Sequence, residues 1–305
     1  MNFAPAEKIA AAVLYEGYIL YPYRPSAIKN RQRWNFGTLY PRVYAEAQRP
    51  EEPFRFIAEC LIDPGTHAAL DVKVNFLQLV RQPPTQRNEL TDPSLDWDVA
   101  VERSSEHRKL AIGPPVSFDI CPTPELHAIL KIGFETLPSG ACKLHLELEN
   151  SSSLPSGPRA RRDEALPQSL VSAHLLLSID GGEFISLLEP PDRFSTDAKA
   201  CTNTGVFPVL TGEQPDRSIM LVSPIILYDY PQTAPESRGD FFDSTEMDEM
   251  LTLRVLTLTD AEKQEMRAGD PRARRILERT EAITGEEMLR SHGVVRALNL
   301  QEDAS

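Results

Sequence analysis

The sequence predicts an α+β protein, mainly antiparallel β and sandwich-like, with a C-terminal tail of short α-helices. Three observations predict it. Leu70, Val72, Val74 and Phe76 alternate with Asp71, Lys73 and Asn75, the two-residue period of a half-buried strand. Alternation leaves one face toward water, which suits an antiparallel sheet better than a parallel one buried on both sides. The chain of 305 residues holds 26 prolines, and proline is tolerated between strands far better than inside helices. From Asp243 the signals become helical: Thr259-x-x-Glu262 and Thr284-x-x-Glu287 are capping boxes, and Asp270–Pro271 sets a cap residue before an N1 proline.

The elements follow in chain order. Residues 6–21 read either as a helix turn leading into a strand or as one strand with a bulge at Gly17. PYRPS is extended, because the residue before each proline avoids the α region. AIKNRQRW is read as a short helical segment. Residues 54–63 and 69–82 are strands, followed by a loop. Residues 97–104 and 109–120 are strands, the second broken by Pro114–Pro115. The clearest hairpin joins LHAILKIGFET to ACKLHLELEN through LPSG, with leucines on one face and Lys143, His145, Glu147 and Glu149 on the other. Gly181–Gly182 between two apolar runs is a two-residue hairpin signal. GVFPVLTG and RSIMLVSPIILYDY are strands, the latter turned into an edge or bend at Pro224. Helices are expected at 244–256, 260–268 and 271–282, with a fourth at 285–292. The segments TDAEKQEMR and DPRARRILERTEAI carry few large apolar residues and are expected on a surface, not in a core. The expected organisation is a β-rich domain over 1–240, with the polar 151–168 stretch as the best candidate for a break or a large excursion, and a helical appendix over 241–305.

Composition excludes some functions. A formal charge of −13 argues against a bulk polyanion binder, which needs a basic surface. Residues 1–49 run the other way, with seven Lys/Arg against three Asp/Glu. Cys60, Cys121, Cys142 and Cys201 are too scattered for a disulfide framework or a zinc ribbon, and read as small buried or half-buried thiols. No signal peptide or apolar run of about 18 residues is seen, so the expected setting is cytoplasmic, with no membrane span.

Two segments concentrate unusual residues. Residues 15–41 hold Tyr18, Tyr21, Tyr23 and Trp34 among Arg24, Arg31 and Arg33, and residues 223–237 repeat the theme with Tyr228 and Tyr230. Three readings stay open: a protein-binding surface, since Tyr, Trp and Arg dominate interface hot spots; a stacking platform for single-stranded nucleic acid; or tyrosines packed into the core with bonded hydroxyls. Asp240, Asp243 and Glu246 offer oxygen ligands to a hard cation, or simply acids in a first helical turn. His145 and His174 lie on predicted strands and are candidates to meet in space near Cys142. No phosphate-binding loop, hydrolase elbow or paired-histidine motif appears, so no catalytic residue is named and no cofactor is expected.

LYEGYILYPYRPSAIKNRQRWNFGTLYP, and SPIILYDYPQTAPES with the following DFFDSTEMDEMLTLRVLTLTDAEKQEMR, resemble an uncharacterised bacterial family associated with gene neighbourhoods of actinobacterial-type [NiFe]-hydrogenases. The resemblance implies an accessory role in assembly or stabilisation, with a hydrogenase subunit or maturation factor as partner. The leading expectation is a non-enzymatic accessory or scaffold protein. Its contact surface would be Tyr18, Tyr21, Tyr23, Arg24, Arg31, Arg33, Trp34, Tyr228 and Tyr230. The alternatives are a metal-dependent enzyme using the 240–249 acids or His145 and His174, and a single-strand binder.

Overall fold

The computed structural model describes residues 3–24, 27, 30, 36–81, 98–232 and 248–283. Its backbone is one antiparallel sheet of eight strands organised on a single long strand, β1 (Arg55–Arg81). One edge of β1 pairs with β6 (Val171–Ile185). The other edge is shared: β5 (Cys142–Asn150) takes Arg55–Ile62, and β2 (Asp98–Ala111) takes Ala69–Arg81. Beyond β5 lie β4 (Leu126–Thr136) and β3 (Val116–Thr123); beyond β6 lie β8 (Ile219–Ser223) and β7 (Phe207–Leu210).

The sequence split β1 into two strands and placed a hairpin turn at Gly181–Gly182. Both expectations are corrected. β1 and β6 each run through, and they bend together where Pro64–Ala69 of β1 faces Asp180–Gly182 of β6. A straight strand of 27 residues would span about 90 Å at roughly 3.3 Å per residue, so a bend is required in a body of this size. The glycines are needed because the two backbones approach closely there. A Cβ on Gly65 would lie 2.3 Å from the Gly181 carbonyl oxygen, and Gly181 itself sits at φ +69°. A paired glycine in an apolar run therefore marks a bulge here, not a reversal. β2 likewise continues through 104–109, and Pro114–Pro115 separates it from β3.

The bend makes the sheet sandwich-like. The β3–β4–β5 wing folds over the C-terminal half of β1 and over β2: the His107 ring stacks on Phe118 at 4.0 Å, and Gln78 Nε2 donates to Thr123 Oγ1 at 3.3 Å. Val72, Val74 and Phe76 are buried against Leu130, Ile132 and Leu146 in the layer between. Each such side chain contributes roughly 1.5–3 kcal/mol on burial. The β4–β5 hairpin follows the pattern read from the sequence, with Leu126, Ala128, Leu130 and Ile132 facing inward.

Helices cover the other face. Of the two readings of residues 6–21, the helical start holds and the strand does not: α1 (Ala4–Leu14) is followed by turns, and it lays Phe3, Ala6, Ile9 and Ala10 on Leu176, Ile219 and Leu221. Residues 151–168 are not a domain break, because β5 before them and β6 after them both pair with β1. They form a packed excursion: α3 (Arg162–Ala165) sits near α2 (Arg42–Ala45), with Tyr40, Tyr44 and Leu154 between them. Buried Asn150 ties this region down, donating from Nδ2 to the carbonyls of Leu39 and Gln168, both at 2.8 Å. A further short helix, α4 (Ser195–Ala200), packs beside Leu61 and Ile185.

The tail contributes α5 (Asp248–Leu256), α6 (Asp260–Ala268) and α7 (Pro271–Glu281). Both capping signals within the described residues are used: Thr259 and Glu262 bond reciprocally, and Asp270 Oδ1 accepts from Arg272 N at 2.7 Å. The helices are more deeply packed than the sequence suggested. Leu251, Val255, Met266, Ile276 and Leu277 join Leu77, Leu79 and Val171 of the sheet in one buried cluster. The expected helix at 285–292 and the Thr284 box lie outside the described residues. No helix among the described residues is long and apolar enough to cross a membrane.

Candidate functional site

The N-terminal aromatic segment is a buried fastening between the sheet and the tail. Tyr15, Tyr18, Ile19 and Tyr23 belong to the same cluster as the tail helices. Tyr18 is 2% exposed; its hydroxyl donates to Asp270 Oδ2 at 2.7 Å and accepts from Ala100 N at 3.1 Å. The Tyr15 hydroxyl bonds to Glu102 and accepts from Arg272, whose guanidinium lies 3.7 Å from the Tyr15 ring centre. Burial pushes the Tyr15 phenol far above its ordinary value. Arg24 spans Glu262 at 2.9 Å and Glu265 at 3.5 Å on α6.

Tyr18, Tyr23 and Arg24 are therefore corrected as partner-contact residues. Their rings are enclosed, and the guanidinium is neutralised by the chain's own carboxylates. Tyr21 is half-buried, edge-on to Tyr23 and beneath Arg254. Arg31, Arg33 and Trp34 lie outside the described residues, as do Asp240, Asp243 and Glu246. A burial-driven role is what the amphipathic chemistry of tyrosine allows when a carboxylate waits for the hydroxyl, as Glu102 does for Tyr15 and Asp270 for Tyr18.

His145 and His174 do not meet. His145 pairs with Glu59 and His174 with Asn75, sixteen positions further along β1 (75 − 59) and on its opposite edge. His145 Nδ1 lies 3.3 Å from Glu59 Oε1 on the face of β5 opposite buried Cys142. His174 is enclosed, with Nδ1 donating to the Ser172 carbonyl at 2.9 Å, and burial lowers it to about 4. Among the described residues no group of three or more His, Cys, Asp or Glu side chains is arranged to hold a metal. His174 instead sits in a row with Asn75 and Ser104 across three strands, beside a cleft of about 410 Å³ under α1. Lys73, two positions before Asn75 on β1, lines the same cleft and is bonded to Glu7 at 2.8 Å and Glu106 at 3.1 Å.

Of the proposed contact residues that are described, the most exposed is Tyr228, in the segment after β8. Residues 224–230 form no strand and bend at 224–225 and 229–230, with Tyr230 at φ +55°, and between the bends the side chains alternate in exposure. Ile226 is 75% exposed and Tyr228 85% exposed, while Leu227 packs inward on the α1 cluster. Asp229 pins the segment: Oδ1 accepts from Leu210 N at 2.8 Å and Oδ2 accepts from Ser186 Oγ. Tyr230 N then donates to the Leu210 carbonyl at 2.7 Å. This engages the outer edge of β7, and Pro208 supplies no donor there, so the edge is closed to a further strand. Beside Tyr228 lies a cleft of about 580 Å³ lined by Leu188, Gln214, Arg217 and Tyr230. Leu188, on its rim, is 56% exposed. Burial pushes the Tyr230 phenol up, while the Arg217 hydrogen bond pulls it down.

Tyr228 and Tyr230 were legible as candidates, but they differ: Tyr228 projects, whereas Tyr230 leans partly into the core. Ile226, Leu188 and Arg217 were missed. The signal for Ile226 was the alternation within IILYDY; Leu188 and Arg217 come from distant loops and had none. Fold and surface together define an α+β protein with one bent sheet and a segment, pinned by Asp229, that holds Ile226 and Tyr228 outward. The chain matches no protein-family model, and no curated protein matches its sequence.

Proposed function

We propose that this chain is a non-enzymatic accessory protein that binds a protein partner through Ile226, Tyr228 and Leu188 around the Arg217 cleft. The observation that carries this reading is the outward pair Ile226 and Tyr228 on a segment pinned by Asp229. A large apolar side chain held outward normally costs solubility, and a segment pinned in advance loses little entropy when a partner docks. Tyrosine next to a pocket is a favoured hot-spot arrangement. The partner class we favour is a hydrogenase subunit or maturation factor in the cytoplasm, because SPIILYDYPQTAPES is one of the two segments that carry the family resemblance.

The test uses the full chain with Ile226→Ala and Tyr228→Ala together. Both side chains are mostly in solvent, so unfolding free energy is expected to change by less than about 0.5 kcal/mol. Co-purification with a hydrogenase subunit from the native host is expected to fall at least tenfold, since loss of one hot spot is worth about 2 kcal/mol or more. Undiminished capture by the doubly substituted chain sinks the assignment of this surface.

A further inference from the structure

We propose that Cys121 and His127 form a reactive thiol pair that exchanges with low-molecular-weight disulfides. The two residues are direct neighbours across the β3–β4 hairpin. Ile120 pairs with Ala128 and Thr123 with Leu126, so one extra residue bulges from β3 just past Cys121. The inward side of this hairpin carries Ile120 and Ala128, which places Cys121 and His127 on the outer side. Cys121 Sγ lies 3.0 Å from His127 Nδ1. The far nitrogen, Nε2, lies 2.8 Å from the Pro124 carbonyl oxygen. A carbonyl only accepts, so Nε2 carries the hydrogen and Nδ1 presents its lone pair to the thiol. Nucleophile, base and an orienting third group are thus assembled in one turn.

The base is held from behind as well. His127 N donates to Ser152 Oγ at 2.9 Å, and Ser151 N donates to the His127 carbonyl at 3.0 Å. Ser152 N is bonded in turn to buried Asn150. The other three thiols are placed differently. Cys60 and Cys142 are buried, and burial pushes both upward; half-buried Cys201 is pushed up to about 11 by burial and by Glu59. Only Cys121 is exposed.

The surroundings select the reaction class. The His127 N–H is committed to Ser152, so it is not free to stabilise the oxyanion of an acyl transfer. Thiol–disulfide exchange needs no such donor, because the displaced charge ends on sulfur. As Sγ attacks, its proton passes to His127 Nδ1, a bond forms to the near sulfur of the disulfide, and the old sulfur–sulfur bond breaks. The departing thiolate takes up a proton. Cys121 is oxidised to a mixed disulfide, and one thiol is released. This chemistry is independent of the partner surface around Tyr228.

The experiment treats the native full chain with oxidised glutathione and maps the adduct by mass spectrometry over time. One adduct on Cys121 is expected, slowed roughly tenfold or more by His127→Ala, which removes the base. An internal comparison needs no variant: native Cys121 should react faster than the mean thiol of the same chain unfolded in urea at the same pH. An adduct on Cys201, an adduct spread over the four cysteines, an unchanged rate in the folded His127→Ala chain, or a native rate no faster than the unfolded one overturns the proposal.

Discussion

Replacing Asp270 by alanine is expected to lower the free energy of unfolding by about 3–4 kcal/mol, in one transition that includes the sheet. The carboxylate is fully buried and serves two elements at once. One oxygen caps α7 at Arg272 N; the other accepts the Tyr18 hydroxyl at 2.7 Å. Loss of an N-cap costs about 1 kcal/mol, and a buried hydrogen bond to a charged acceptor about 1.5–3 kcal/mol. The Tyr18 hydroxyl also accepts from Ala100 N on β2, so the damage reaches the sheet. A domain of ordinary stability has about 5–15 kcal/mol to lose. Urea titration followed by circular dichroism should show a lower midpoint with an unchanged slope. Tyr18→Phe should cost a comparable amount, and the double substitution clearly less than the sum, because both remove one shared contact. If the tail instead melts in a separate early transition and the sheet unfolds as before, the fastening does not couple them.

The same contact shows where sequence reasoning reached its limit. Composition identified residues 15–24 as unusual but could not say which way the rings point. That depends on Asp270, Glu262 and Glu265, more than 230 positions away, and no local pattern connects them. The β4–β5 hairpin was legible because its two faces differ in chemistry at every step. β1 was not, because Asp63-Pro64-Gly65 looks like a loop in any window that omits Gly181. The tail was legible in its caps and underestimated in its packing. Ala273, Ile276, Leu277 and Thr280 recur at helical spacing and are all buried, a stripe that the high charge of the segment obscured. At the candidate surface the aromatic residues were visible, but the pin that presents them, Asp229 to Ser186 and Leu210, spans three separate segments.

Between the two apolar clusters on the helical face, the sheet carries a polar row, and its centre predicts an acid sensitivity. His174 is enclosed, its Nδ1 is committed to the Ser172 carbonyl, and its Nε2 has no hydrogen-bond partner among the described residues. Ser172 sits at φ +54° in a β6 bulge, which places its carbonyl within reach of that ring. Charged side chains approach from three elements, Glu7 on α1, Lys73 on β1 and Glu102 on β2, yet burial dominates and holds the imidazole at about 4. The unfolded chain takes up this proton near its ordinary value of about 6.5. Above that pH neither state is protonated and His174 contributes nothing unfavourable. Between about 6.5 and 4 the unfolded state binds a proton that the native state refuses, so stability falls as pH falls. A depression of this size corresponds to about 3 kcal/mol, fully expressed only near pH 4. Urea midpoints measured from pH 7 to pH 4 should therefore decline in the wild type. In His174→Gln, which keeps a hydrogen-bonding side chain but cannot titrate, that part of the decline should disappear. Parallel curves for the two chains would show that the acid lability arises elsewhere, as in Glu106, held down by Arg108 and Lys73, and Glu262, held down by its bonds to Thr259.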